Sequence, residues 1–170
     1  LTSVVAQSFT DWEAIVINNY SEDNTVEVVE GFHDERIHLV NFRNNGIIAA
    51  SRNEGIRRAR GEFVAFLDSD DWWYPPKLER VRGYATNADV LYHDLDIYSA
   101  RGRKRFARNW RRQLARPVFA DLMMNWNTLP NSGVVVRKAA LDEVGGLTED
   151  KELNTFEDVE LWLKISRVTE

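Results

Sequence analysis

Residues 63–71 read FVAFLDSDD, an apolar run that ends abruptly in three carboxylates. The apolar part has the composition of a strand buried on both faces, as in a parallel sheet. Asp68, Asp70 and Asp71 then fall at the carboxyl end of that strand, where open α/β sheets bind ligands. Like charges crowd there, and a divalent cation that carries a phosphorylated ligand is the candidate that would balance them. Taken alone, however, the stretch favours a polar turn, since Asp and Ser both favour turns, and the rest of the chain has to decide between the two.

The composition of the whole chain limits the classes of function. Its 170 residues are 44% hydrophobic and 29% charged, with a net charge of −5. These values indicate one soluble globular domain and argue against a nucleic-acid-binding surface. The absence of cysteine excludes disulfides, thiolate metal sites and a cysteine nucleophile. No apolar run approaches the length of a membrane span, so we expect a cytoplasmic protein.

Strands and helices alternate up to the acidic stretch. The predicted elements, beginning with a strand, are 12–17, 25–32, 37–40, 47–59 and 63–67. Short connections between such elements are typical of a parallel sheet built from right-handed crossovers. The polar loops 18–23, 42–46 and 68–71 then all leave the carboxyl ends of strands. We therefore predict a ligand site along one edge of an α/β sheet.

The second part of the chain mixes helices and strands. The predicted elements are a helix at 77–84, a strand at 89–98, a helix at 117–126, a strand at 134–137, and helices at 138–144 and from 156 onward. Segment 101–116 contains eight basic residues and predicts a solvated basic loop or hairpin. Attraction to an anionic acceptor or an anionic lipid surface is the alternative.

Several apolar side chains allow two interpretations. Met123 and Met124 are predicted to lie in the core or to line a groove. Trp72, Trp73 and Tyr74 follow the carboxylates directly. They either pack in the core or line a surface on which a sugar stacks.

Four stretches of the sequence together resemble one known family. They are AQSFTDWEAIVINNYSEDNT from residue 6, NNGIIAASRNEGIRRARGEFVAFLDSDDWWYPPKLE from residue 44, NSGVVVRKAALDEVGGL from residue 131 and FEDVELWLKIS from residue 156. The series resembles the family 2 glycosyltransferases, which are nucleotide-sugar-dependent enzymes of the GT-A fold. The resemblance implies a single α/β domain with a mostly parallel, Rossmann-like sheet and helices on both faces. It further implies a donor-binding half at residues 1–100 and an acceptor-binding half at residues 101–170.

The same resemblance implies the residues of a donor site. Asp68 and Asp70 occupy the two acidic positions of the DxD motif. Asp70 is thereby expected to bind Mg²⁺ or Mn²⁺, and Asp68 to contact the ribose of the nucleotide or the metal shell. Arg52, in the tripeptide SRN, matches a position that contacts the nucleotide. Asn19 falls where the family usually has an Asp that reads the base.

Asp158 matches the family's catalytic base, with Glu157 beside it. The alternative is an acidic residue stabilised by a helix dipole, or an N-cap. The resemblance implies a metal-dependent, inverting transfer to an acceptor hydroxyl in polysaccharide biosynthesis. The expected partners are a nucleoside-diphosphate sugar, with a UDP-sugar as the first choice, and a saccharide or lipid-linked saccharide acceptor. No nucleic acid is expected; we also consider peripheral association with the inner face of a membrane, and homo-oligomerisation.

The sequence departs from the family pattern at two places. The family begins with a buried strand, whereas Leu1 corresponds to a point inside the first helix. We expect residues ahead of Leu1, another strand pairing or oligomerisation to compensate, because exposed strand edges are costly. Asn18 and Asn19 replace the usual acidic pair, which implies altered base recognition or a donor other than the usual uridine nucleotide. The QxxRW-type motif of processive synthases is not found, which favours single addition.

Three other functions remain open from the sequence. An inactive homologue would bind a nucleotide sugar without turnover. A phosphatase of the haloacid dehalogenase type has a similar DSD motif, but it requires Thr or Val where Trp72 stands. A nucleotidyltransferase would share the sheet and the metal, but its Gly-rich N-terminal loop is not seen.

Overall fold

The computed structural model describes residues 1–99, 102–109, 113–125 and 129–169. The strands are β1 (Ala14–Asn18), β2 (Ile37–Asn41), β3 (Phe63–Ala65), β4 (Val90–Tyr92), β5 (Leu95–Ser99), β6 (Gly102–Asn109) and β7 (Val134–Arg137). The helices are α1 (Thr2–Val5), α2 (Thr25–Glu30), α3 (Ile48–Arg58), α4 (Lys77–Tyr84), α5 (Val118–Asn125), α6 (Lys138–Glu143) and α7 (Glu157–Ile165). None of these described helices combines the length and the apolar composition that crossing a bilayer requires.

The described strands form three separate sheets. β1 and β2 run parallel, with Ala14 opposite Ile37. β7 lies between β3 and β4 and runs antiparallel to both, so β3 and β4 run parallel to each other on either side of it. β5 and β6 form an antiparallel hairpin. The predicted α/β class is confirmed. Fewer strands pair in parallel than expected. Within the described residues only β1 and β2 do so, because the antiparallel strand β7 lies between β3 and β4.

One hydrophobic core joins the two halves of the chain. Ala49, Ile56 and Phe66 from the first half pack with Leu141 and Trp162 from the second. A core shared in this way is what a single domain requires.

Among the strands whose burial the structure describes, β7 rather than β3 is the most buried. Val134, Val135 and Val136 are 0%, 2% and 0% exposed, whereas all three residues of β3 are half-buried. The prediction of a strand buried on both faces at 63–67 was therefore wrong for β3, and it describes β7. The reason is position: β7 has a hydrogen-bonded neighbour on each side, and β3 pairs with β7 alone among the described strands.

Three local predictions meet different outcomes. The strand predicted at 89–98 breaks at His93 and Asp94 into β4 and β5, which belong to different ladders. Within the basic segment, residues 102–109 form one strand of a hairpin, while residues 101 and 110–112 lie outside the described residues. Trp126, at the end of the predicted 117–126 helix, lies outside them as well. Placing Met123 and Met124 in the core was wrong, since they are 59% and 80% exposed. The short helix α5 buries Asp121 and Leu122 and packs Val118 against the core.

Candidate functional site

The loops that follow β1 and β2 meet at one edge of the structure. The side-chain Oδ1 of Asn19 accepts a hydrogen bond from the backbone N–H of Asn44 at 3.0 Å. Asn44 Nδ2 in turn donates to Ser51 Oγ at 2.9 Å, in the first turn of α3. Asn18 is buried and donates to Asn41 Oδ1 at 2.7 Å. Asn19 thus joins two loops, and Asn18 has a structural role at the end of β1.

Arg52, on α3, holds two carboxylates at once. Its Nη2 donates to Asp68 Oδ1 at 3.0 Å, and its Nη1 donates to Glu157 Oε1 at 2.5 Å. The Arg52 side chain is 17% exposed and that of Glu157 is 5% exposed. Because water and salt have little access to Arg52 and Glu157, this pair is screened much less than a surface pair would be, whereas the Asp68 side chain is 43% exposed. The guanidinium therefore brings the turn after β3 against the start of α7.

The short turn Asn131–Gly133, directly before β7, completes this cluster from a third direction. The Oγ of Ser132 accepts a hydrogen bond from the backbone N–H of Asp68 at 3.0 Å. The side-chain oxygen of Asn131, in the amide orientation that satisfies both of its polar atoms, accepts from Arg52 Nη2 and Nη1 at 3.0 and 3.2 Å. Both residues are buried. Sequence reasoning missed them, because the antiparallel direction of β7, which places its start beside the end of β3, has no local signal.

Asn53 is buried next to Arg52 and fixes the loop that leads to α7. Its Nδ2 donates to the Leu147 carbonyl and to Glu149 Oε1, each at 2.9 Å, and its Oδ1 accepts from the Leu147 N–H at 2.9 Å. At Gly146, where φ is +73°, an added Cβ would lie 2.6 Å from Asn53 Oδ1, so only glycine fits this turn. The tripeptide SRN was expected to contribute Arg52 alone, and Asn53 is a second residue of the site region.

The start of α7 carries the remaining predicted residue. Asp158 is half-buried in the first turn of the helix, and its Oδ1 accepts the Val159 N–H at 2.7 Å. Glu157 accepts the Thr155 N–H at 2.6 Å in addition to the Arg52 contact. The predicted helix start is confirmed, and the helix dipole favours negative charge at this end.

Asp70 and Asp71 are exposed in the turn that Asp68 begins. The Asp71 N–H donates to the Asp68 carbonyl at 3.1 Å, which closes the turn. Over the described part of the chain, no three His, Cys, Asp or Glu side chains converge on a preformed cation site. The carboxylates of Asp68 and Asp70 are nevertheless hard oxygen ligands. They fit Mg²⁺ or Mn²⁺ when a phosphorylated ligand and water supply the other positions.

A buried lysine lies behind the carboxylate turn. Lys77 Nζ is 3.4 Å from the centroid of the Trp73 ring and 3.4 Å from the Ser132 carbonyl oxygen. Trp73 Nε1 donates to the same carbonyl at 2.8 Å. Burial lowers the pKa of Lys77 to about 6, whereas the ring face and the carbonyl favour the ammonium form. Lys77 and Trp73 together fix Ser132, which in turn holds the backbone of Asp68.

The sequence of the chain matches known proteins over most of its length. The family model described as Glycosyl transferase family 2 matches residues 1–145. TuaG of Bacillus subtilis (strain 168), whose name refers to teichuronic acid biosynthesis, is 44% identical over 80 residues, which is 46% of this chain and 32% of TuaG. The UDP-Glc:alpha-D-GlcNAc-diphosphoundecaprenol beta-1,3-glucosyltransferase WfgD of Escherichia coli is 42% identical over 79 residues, which is 46% of this chain and 31% of WfgD. These alignments span about a third of the length of either relative.

The fold is similar to that of a solved structure. TarS 1-349 from S. aureus superposes with a TM-score of 0.74 over 99% of this chain and 50% of that chain, at 23% sequence identity. This likeness confirms the predicted GT-A-type fold. Because the family model extends over residues 1–145 of the 170, the chain belongs to glycosyl transferase family 2.

Proposed function

We propose that this chain moves a sugar from a nucleoside-diphosphate donor to an acceptor hydroxyl, with a divalent cation, with inversion and one sugar at a time. The observation that carries the proposal is the contact of Arg52 with both Asp68 and Glu157. It brings the acidic turn after β3 against the start of α7, where Asp158 lies. A transferase needs a donor site and a base held close together, since orientation supplies much of the rate.

On the donor side, Asp70 and Asp68 are the residues that hold Mg²⁺ or Mn²⁺ in this proposal. When bound, the cation would neutralise the negative charge that develops on the leaving diphosphate. Arg52 keeps the Asp68 carboxylate in place and contacts the nucleotide, and Asn19 contacts the base. The support for this assignment is that the Asn19 side chain contacts the loop that leads to α3, and that Arg52 on α3 contacts Asp68.

On the acceptor side, Asp158 accepts the proton of the acceptor hydroxyl at a carboxylate oxygen. The acceptor oxygen forms a bond to the anomeric carbon as the bond from that carbon to the diphosphate breaks, which inverts the configuration. The N–H of Val159 fixes one oxygen of Asp158. Glu157 is held by Arg52 and by the Thr155 N–H, so it positions the start of α7.

The proposed donor and acceptor classes are taken by analogy from the named relatives of the chain. The name of WfgD states a UDP-glucose donor and a lipid-linked GlcNAc-diphosphate acceptor for that protein. We extend the class to this chain: a UDP-sugar donor bound by residues 1–100, and a saccharide or lipid-linked saccharide acceptor bound by residues 101–170. A cytoplasmic site of action at the inner face of a membrane belongs to the same proposal.

Assays of UDP release and sugar transfer test the proposal, with UDP-sugars and Mn²⁺ and with a chelator as the blank. We expect activity only with the cation. Asp158→Asn should lower transfer by about 10²–10⁴-fold, as loss of a general base does, while UDP binding by calorimetry persists. Asp142→Asn is the matched control, because Asp142 is exposed on α6 and pairs with Lys138.

Two results would contradict the proposal: activity that is indifferent to the chelator, or full transfer by the Asp158 variant. UDP binding without turnover for any acceptor would identify a binding-only homologue instead. The observation behind that alternative is Asn19, an uncharged residue whose side-chain oxygen already accepts the Asn44 N–H.

A further inference from the structure

Exposed aromatic side chains lie directly beyond the carboxylate turn. Trp72 and Tyr74 are each 50% exposed, and Tyr98 on β5 is 39% exposed. The Trp72 and Tyr98 rings meet edge to face, with centroids 4.7 Å apart and an interplanar angle of 61°. These three residues together with Asp96 form a surface that we name the aromatic platform. Trp73, between Trp72 and Tyr74 in sequence, points the other way and is buried.

Hydrogen bonds hold the aromatic platform in place. The Tyr74 hydroxyl lies 3.0 Å from Asp96 Oδ2 and 3.1 Å from the Tyr98 hydroxyl. These bonds, to Tyr98 and then to Asp96, raise the pKa of Tyr74 to about 12, so the phenol keeps its proton. The loop is also anchored behind the surface, since the Trp73 N–H donates to Ser3 Oγ at 3.2 Å. Side chains fixed in this way lose little entropy when a ligand binds.

We propose that the aromatic platform is a saccharide subsite, which takes a pyranose ring of the acceptor against the face of Trp72 and so extends acceptor binding from residues 101–170 into the first half of the chain. The proposal deepens the proposed function and rests on it. Exposed aromatic clusters in soluble proteins mark binding surfaces. The apolar face of a pyranose matches the Trp72 ring, and its hydroxyls can bond to the Tyr74 and Tyr98 phenols, whose positions Asp96 helps to fix. A few polar groups beside an apolar surface are what fixes the orientation of a small ligand.

The position of the aromatic platform and the charges around it favour a saccharide over a lipid surface. Trp72 is two residues beyond Asp70, so a sugar on its face lies next to the proposed donor site. Asp70 and Asp71 precede Trp72 directly and are exposed, so an anionic lipid surface would be repelled there. A neutral polyhydroxyl ligand has no such penalty. The sequence of β6 is basic, and for that reason membrane binding is tested as the competing outcome.

The experiment measures binding of defined saccharides to the full chain by titration calorimetry and saturation-transfer NMR. The probes are triacetylchitotriose, cellotriose and maltotriose, each with saturating UDP and Mn²⁺. We expect wild type to bind at least one of them, and Trp72→Leu to weaken that binding by at least about tenfold, which is ~1.4 kcal/mol. Trp72→Phe keeps a ring and should stay within about threefold. Tyr84→Leu is the matched control, since Tyr84 is 69% exposed on α4, outside the platform.

The outcomes separate the subsite from the proposed function. UDP binding with no saccharide binding, or equal binding by wild type and Trp72→Leu, overturns the subsite and leaves the donor site standing. Saccharide binding that depends on Trp72 without any UDP binding supports the subsite and removes the proposed function. Sedimentation with phosphatidylglycerol vesicles that is lost in Trp72→Leu, with no saccharide bound, makes the platform a membrane contact and overturns the proposal.

Discussion

The guanidinium of Arg52 and the carboxylate of Glu157 form an ion pair between residues 105 positions apart in the chain. The pair is nearly out of water, and the same guanidinium also holds Asp68. It therefore joins the two parts of the chain that carry the proposed donor site and the proposed base. Its loss should affect folding and activity together.

Arg52→Met should lower the free energy of unfolding by about 3–5 kcal/mol, because it leaves the buried Glu157 carboxylate without its cation. Arg58→Met on the same helix is the control. Arg58 is 53% exposed and pairs with Glu54, and an exposed ion pair contributes at most about 1 kcal/mol. Urea denaturation measures both. Equal losses of unfolding free energy in the two variants would show that the buried Arg52–Glu157 pair stabilises the fold no more than the exposed Arg58 pair does. The double variant Arg52→Met, Glu157→Gln should recover part of the stability.

Asp70→Asn should weaken Mn²⁺ binding in the presence of UDP by at least about tenfold, ~1.4 kcal/mol, because it removes a carboxylate ligand from the proposed cation site. Asp71→Asn should change it by less than about twofold, since only Asp70 occupies the second acidic position of the motif. Both residues are exposed in the same turn, so the pair is matched. Electron paramagnetic resonance of Mn²⁺ gives the affinities. An equal effect of the two variants would refute the assignment.

Asn53→Ala removes three hydrogen bonds and leaves both backbone groups of Leu147 without that partner. Each buried backbone group left without a hydrogen bond costs about 1–3 kcal/mol in stability. Sugar transfer should also fall, because the loop before Asp158 loses its anchor. Asn24→Ala, at an exposed helix start whose side chain makes no capping bond, should cost less than about 0.5 kcal/mol. Thermal denaturation and a transfer assay on both variants check this. Lower stability with unaltered sugar transfer would contradict a role of this loop in positioning the proposed catalytic residue.

Lys77→Met should stabilise the fold at low pH, and the gain should shrink as the pH rises. Burial lowers the pKa of Lys77 to about 6 from its ordinary 10.5. Between these values the unfolded chain binds more protons than the folded one, so folded-state stability rises with pH. The cost of burying Lys77 is fully present below pH 6 and fades toward 10.5, by up to about 1.4 kcal/mol per pH unit.

The Trp73 ring face, which favours the ammonium, should reduce the size of this effect without changing its sign. Denaturation of wild type and Lys77→Met at a series of pH values measures the difference. Lys138→Met serves as the control, since Lys138 is half-buried and pairs with Asp142. A constant difference across the series would mean that Lys77 titrates normally in the folded protein.

The local pattern of the sequence determined a large part of this protein. The order of elements from β1 to α4, the acidic turn after β3 and the start of α7 at Glu157 all follow from apolar spacing, turn residues and short connections. The helix predicted at 77–84 matches α4 (Lys77–Tyr84). The meeting of the loops after β1 and β2 could also be expected, because these two strands pair in parallel and their carboxyl ends share an edge. The turn after β3 follows a strand of another sheet, and Arg52 links it to this region by a tertiary contact.

Only the tertiary structure decided how distant segments meet. The antiparallel placement of β7 puts Ser132 against Asp68, and it could not be read from the sequence, because strand pairing between remote segments has no local periodicity. The same holds for the burial of Asn53 and Lys77, polar residues whose partners lie elsewhere in the chain. The aromatic run after the acidic turn allowed both packing and exposure. Which of its rings faces water was settled by what each side chain meets across the fold, a long-range contact that no stretch of nine residues contains.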